Sequence, residues 1–267
     1  MIQEIAHLGM VDDEAIALDL AALEIAALDH PGAAIGDYVD ALGEIAIDLL
    51  AGAGAAIRAA DQASLLAEII GGVHGFGGDR DNYDDPANAD LIRVIDRRRG
   101  MPVALAILYV GLGRRVGWSV QALNTPGHVL VSVSEEETIL VDPFNGGVRV
   151  GAEQLAGLLS AVLGQGSAPA AEHLAPMSNR AVLVRLLMNQ ATRAEQARQA
   201  PRALEIYRRI TTVAPSYAYG WWERARLELV DRDVAAARAS LSAMLETTRD
   251  PSLRTHVCAA LDALAGT

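Results

Sequence analysis

One run constrains this chain more than any other. Arg98-Arg99-Gly100-Met101-Pro102 opens an apolar segment that holds its character as far as Arg114-Arg115-Val116-Gly117. Proline suits the first turn of a helix, where its missing N–H has no intrahelical partner and its φ is already helical. Gly117 suits the other end, where a left-handed residue stops a helix cheaply. Leu105, Leu108, Tyr109, Leu112 and Val116 keep helical spacing, and Val103, Ala104, Ala106 and Ile107 fill much of the remaining circumference. A helix apolar all round is a buried one. The rest of the chain has to wrap it.

Beyond this helix the chain reads as β-structure. Trp118 to Leu123 makes a strand, Asn124-Thr125-Pro126-Gly127 turns the chain, and His128 to Val133 makes a second strand. Ser134-Glu135-Glu136-Glu137 is an exposed hairpin, Thr138 to Val141 returns, and Asp142-Pro143-Phe144-Asn145-Gly146-Gly147 closes the sheet. Two of these stretches carry one polar residue each that is suited to chemistry, His128 and Asp142.

A buried helix, then a strand with His, then a strand with Asp resembles the transglutaminase-like fold of the papain-type cysteine transferases and proteases. The resemblance is closest to the bacterial SirB family, which joins a transglutaminase-like core to tetratricopeptide repeats. It rests on Tyr83, Asn88, Arg98-Arg99-Gly100, Pro102, Pro126-Gly127-His128 and Asp142-Pro143-Phe144-Asn145-Gly146. It implies an α+β fold, with helices packed on a small antiparallel sheet and an all-α segment behind. In the active members of the fold a nucleophilic Cys opens the helix. Counting back fifteen residues from Gly117 lands on Pro102, and the only cysteine is Cys258. A thiolate needs a base beside it and an acid to orient the base. His128 and Asp142 are then two-thirds of a triad, without a nucleophile to activate. Ser119 and Thr125 are the nearest hydroxyls, and neither begins the helix. Cys258 is expected on the apolar face of the terminal helix.

Composition excludes several classes. A net charge of −12 argues against binding a phosphate backbone. The chain has no lysine, which removes Schiff-base, lysine-base and P-loop chemistry. One cysteine forbids an internal disulfide. No run is apolar enough to span a bilayer and no basic n-region precedes an apolar one, so the expectation is a cytoplasmic protein off the membrane.

Residues 1–70 read as helices: one over Glu14 to Glu24 behind Asp12, one over Asp37 to Leu50, and one from Asp61 to Ile70, stopped by Gly71-Gly72. The acidic stretch 71–90 is turn-rich. Asp79, Asp81 and Asp85 offer hard oxygen ligands, but an EF-hand's glycine and glutamate are missing, so no metal or other cofactor is expected. Asn88 is the expected N-cap of the next helix. Arg97-Arg98-Arg99 reads as a basic turn bracing the loop, or as a contact for an anion.

The stretch Gln165 to Pro169, extending to Pro176, is the expected boundary. Beyond it Ala203, Tyr207 and Pro215 fall on positions of a 34-residue tetratricopeptide unit, and one period on stand Ala237 and Leu241. Repeats over 184–217 and 218–251, with a capping helix holding Leu253, Val257, Leu261 and Leu264, are expected to lean on the core. The division is thus 1–72 as the helical part of the core, 73–176 as the transglutaminase-like core, and 177–267 as repeats.

Three functions fit this reading. The first is a non-catalytic module binding a protein or peptide through its cleft, its repeats, or both. The second is a hydrolase in which His128 and Asp142 activate water, a general-base effect of about 10²–10⁴-fold. The third is an adaptor with a collapsed cleft. The candidate site is the dyad His128 and Asp142, with Arg99, Pro102, Asn124 and Asn145 about the cleft and Trp221 and Trp222 in the repeats.

Overall fold

A computed structural model describes residues 2–164 and 171–265; the expected boundary at Gln165 to Pro169 lies outside the described residues. The chain forms two compact units, Asp13–Val182 and a second made of Met1–Asp12 with Leu183–Thr267. The first twelve residues therefore group with the C-terminal helices and not with the rest of 1–72.

In the first unit α1 (Leu18–Ala27), α2 (Ile35–Ala53), α3 (Ala59–Leu66) and α4 (Leu91–Arg97) precede α5 (Pro102–Arg115). Every residue of α5 from Pro102 to Gly113 is buried, with Pro102 at its start and Gly117 at φ +85° just past its end. The helix touches α1, α2 and the turn Pro143–Asn145. Each large aliphatic side chain it buries contributes about 1.5–3 kcal/mol.

Gly77–Gly78 (β1) and Arg99–Gly100 (β2) form a parallel pair. A four-stranded antiparallel sheet comes next, in the order β3 (Ser119–Ala122), β4 (Val131–Ser134), β5 (Thr138–Asp142), β6 (Val148–Arg149). α5 lies against β3, and α6 (Ala152–Leu163) completes the unit, Leu155 and Leu159 packing with Leu123, Leu130 and Val150.

Four local expectations change. α1 begins at Leu18 and not at Glu14: Asp13–Ala15 forms a separate 3₁₀ turn, and the Asp13 carboxylate accepts from the N–H groups of Asn179 (2.7 Å) and Arg180 (2.9 Å). α3 does not run to Ile70. It gives way to a π-helical turn, Ala67–Val73, whose Gly71 lies so close to Gly146 that a Cβ would sit 2.6 Å from its carbonyl oxygen. α4 is capped by Asp90, which accepts from Arg93 N–H (3.1 Å). Asn88 is buried in a separate 3₁₀ turn, donating to the carbonyls of Asn82 and Tyr83 and accepting from Arg97. Finally, His128 precedes its strand, since β4 starts only at Val131.

In the second unit α7 (Asn179–Gln196), which begins in the first, leads to α8 (Ala200–Val213), α9 (Ala218–Val230), α10 (Val234–Thr247) and α11 (Pro251–Ala265). α7 and α9 end 34 residues apart, and α8 and α10 begin 34 apart. Their turns repeat bond for bond. Arg198 N–H to Glu195 O and Gln199 N–H to Ala194 O recur as Arg232 N–H to Leu229 O and Asp233 N–H to Glu228 O. Both arginines are left-handed, at φ 57° and 62°. Ala203 and Ala237, and likewise Tyr207 and Leu241, are buried at matching positions.

Among the described residues no helix is long and apolar enough to cross a membrane.

Candidate functional site

The register of β4 on β5 sets Val131 opposite Val141. In an antiparallel pair, residues before one member and after the other lie at the same end. His128 and Asp142 therefore meet there, with His128 Nε2 2.8 Å from Asp142 Oδ1. Asp142 is fully buried and caps the 3₁₀ turn Pro143–Asn145. Its Oδ1 also accepts from the N–H groups of Phe144 (3.0 Å) and Asn145 (3.3 Å), and its Oδ2 from Asn145 Nδ2 (2.5 Å). Burial pushes this carboxyl up, but the His128 hydrogen bond, the imidazole's charge and the Asn145 donors outweigh it and hold the group below its ordinary value. An ionised carboxylate only accepts, so His128 Nε2 is the donor in this bond.

Phe144 forms one wall, edge-on to His128 (centroids 6.0 Å) and to Tyr83 (5.8 Å). It fits because Gly78 has no side chain: a Cβ there would lie 2.5 Å from the ring. Gly78 pairs with Gly100, two residues before Pro102, so the wall stands beside the entry to α5. Pro102 is buried in the first turn, where it offers no N–H.

The arginine triplet holds the loop around this wall. Arg97 pairs with Asp79 (2.6 Å), Arg98 stacks on Phe76 (4.5 Å), and Arg99 donates to the carbonyls of Gly75 and Arg98 (3.0 Å each). Asn145 is shared. Its amide nitrogen serves Asp142 while its oxygen accepts from Arg80, which fixes the carboxamide's orientation. Arg80 carried no sequence signal beyond its charge. Asn124 is exposed at the turn before His128, its backbone N–H bonded to the Ala175 carbonyl (3.0 Å). Among the described residues no group of three or more His, Cys, Asp or Glu could hold a metal ion.

Behind the dyad lies Tyr109. It is fully buried, its hydroxyl makes no hydrogen bond among the described residues, and burial with the nearby Asp142 charge pushes the phenol up. Gly147, at φ +80°, is required beside it, since a Cβ would stand 2.7 Å from the Tyr109 oxygen and 2.9 Å from Ala67 Cα. A buried hydroxyl without a partner costs stability. Tyr109→Phe is therefore expected to leave urea unfolding unchanged or to stabilise by about 1 kcal/mol; a clear loss would mean that the hydroxyl has a partner in solution.

In the helical unit the two tryptophans differ. Trp221 Nε1 donates to the Pro215 carbonyl (2.7 Å), and Arg224 lies over its ring. Trp222 instead faces His256 (5.5 Å) and lines a groove of about 470 Å³ with Tyr219, Met244, Leu253 and Val257. Cys258 is exposed, against expectation. The buried face of α11 centres on Val257, with Ala260, Leu261 and Leu264 behind it, and the next residue points about 100° away.

The Transglutaminase-like superfamily profile matches residues 36–188, the segment that contains the dyad and α5. A UPF0162 protein of Xylella fastidiosa (strain Temecula1) is 34 % identical over 195 residues, 68 % of this chain and 66 % of that protein. A UPF0162 protein of Pseudomonas aeruginosa is 30 % identical over 178 residues, covering 67 % and 65 %, and one of Vibrio cholerae is 40 % identical over 74 residues, 27 % of each. The first of these matches spans just under two thirds of its relative. No solved structure matches the chain significantly. With the profile covering more than half of its length, over the helix and strands that hold His128 and Asp142, the chain belongs to the transglutaminase-like superfamily.

Proposed function

We propose that this protein is a transglutaminase-like binding module of the SirB type that works without thiol chemistry. The observation that carries the reading is Pro102, buried at the first turn of α5 where the family resemblance sets the nucleophile. The one cysteine stands instead on α11, in the other unit. The site keeps an imidazole fixed on a buried carboxylate, which suits recognition of a peptide or protein group. The 34-residue recurrence of helix ends, turn bonds and buried residues supports reading α7–α11 as tetratricopeptide repeats. The groove at Trp222 is then a second peptide surface, and a cytoplasmic location fits both.

A second reading is favoured by one observation, the intact 2.8 Å contact between His128 and Asp142. Such a pair can activate water for amide or ester hydrolysis. The same experiment tests both. Iodoacetamide is expected to alkylate the exposed Cys258 of the folded protein, and neither this nor Cys258→Ala should change amide transfer or hydrolysis on amine-donor and ester probes. Loss of such an activity on thiol blocking would defeat the thiol-free reading. An activity that survives blocking but disappears in His128→Ala would establish the hydrolase instead.

A further inference from the structure

α2 carries more apolar surface than it buries. Leu42, Ile45, Ala46 and Leu49 face inward. About a third of a turn round the helix, Val39, Ile47 and Leu50 remain 36, 65 and 56 % exposed. With Gly43 they recur at steps of four, four and three residues, which makes one stripe. Contiguous exposed apolar residues of this kind mark an interaction surface.

Gly43 sharpens the point. A mid-helix glycine weakens a helix relative to alanine. Yet a Cβ built on Gly43 would meet nothing within 4 Å, so nothing among the described residues requires its absence. A bare backbone on an exposed stripe lets another backbone come close.

The charge beside the stripe says what approaches. Asp37, Asp40, Glu44 and Asp48 line one edge, and α2 contains no basic residue. Asp48 is engaged by His74 (2.8 Å); among the described residues Asp40 and Glu44 have no ion-pair partner. A second copy of α2 would bring only carboxylates to that edge, in a chain of net charge −12. We propose that this face of α2 docks an amphipathic helix of a partner protein, small and apolar along its seam and rich in Lys or Arg beside it.

The probe is a fluorescent peptide of about five helical turns, with an Ala/Leu seam and a Lys flank, titrated into the full chain beside a Glu-flanked counterpart. The Lys-flanked peptide is expected to bind saturably and the Glu-flanked one not to bind. Ile47→Gln with Leu50→Gln should weaken binding about tenfold or more. Asp40→Asn with Glu44→Gln should flatten its salt dependence. Gly43→Ala provides the independent readout: it should raise the melting temperature by about 2 °C while weakening the peptide. Binding that ignores the Ile47/Leu50 pair, or no binding at all, would overturn the proposal. So would sedimentation showing a dimer of the chain that the same pair dissolves, which would assign the face to a second copy.

Discussion

Asp142→Ala is expected to cost the first unit about 3–5 kcal/mol, the range for removing one partner of a buried, hydrogen-bonded charge pair. The substitution strips the acceptor from His128, from two backbone N–H groups and from the Asn145 amide at once. The turn Pro143–Asn145 loses its cap, and with it the footing of Phe144 against Gly78. Asp142→Asn should cost less, about 1–3 kcal/mol, for a specific reason. Its new NH₂ faces the Asn145 NH₂, and rotating Asn145 to relieve that contact turns a donor toward Arg80. Urea unfolding of the two variants checks the order; equal, small losses would show that the dyad is dispensable to the fold.

The same carboxyl sets a pH dependence. Its folded value lies below the ordinary 3.8, so the folded state favours the ionised form. Its stabilisation is complete above the unfolded value, about pH 4, and is lost as pH falls through the folded value. The gap in unfolding free energy between wild type and Asp142→Asn should therefore close below about pH 4. A gap that widened there would mean the shift has the opposite sign.

What could be read in advance was local or periodic. Pro102 and Gly117 bracket α5 because proline and glycine impose helix ends through their own backbones. The order of helix, His and Asp brought the dyad together because hairpin register is set by neighbours in sequence. The step from Ala203 to Ala237 reappeared in the turn bonds. What escaped was long-range or geometric. The helix expected behind Asp12 starts only at Leu18, its neighbour Asp13 caps α7, and Asp19 is buried against Arg115 (2.8 Å) across 96 positions. The π-helical turn at Ala67–Val73 sets Gly71 against Gly146, a contact that no window of sequence contains. Cys258 misled because α11 buries so narrow a face that a neighbour of Val257 is already in solvent.

Glu228→Ala should be the most damaging single change in the helical unit, again about 3–5 kcal/mol. Glu228 is fully buried on α9. Its Oε1 accepts from Arg224 Nε (2.9 Å), with Arg208 of α8 at 3.9 Å, and its Oε2 accepts from Ser240 Oγ of α10 (2.6 Å). Truncation leaves a cavity and a buried hydroxyl without an acceptor. The repeat itself supplies the control. One 34-residue period earlier, Ala194 and Ile206 stand where Glu228 and Ser240 stand here, and both are buried. A buried charge network can be exchanged for well-packed apolar groups at little cost. Glu228→Ala combined with Ser240→Ile should thus recover most of what Glu228→Ala loses, with Arg224, 25 % exposed, still reaching water and Thr211. Amide hydrogen exchange along α9 and α10 reads this unit separately from the other. If the double variant were no better protected than the single, the carboxylate would be needed for its charge and not only for filling its place between the helices.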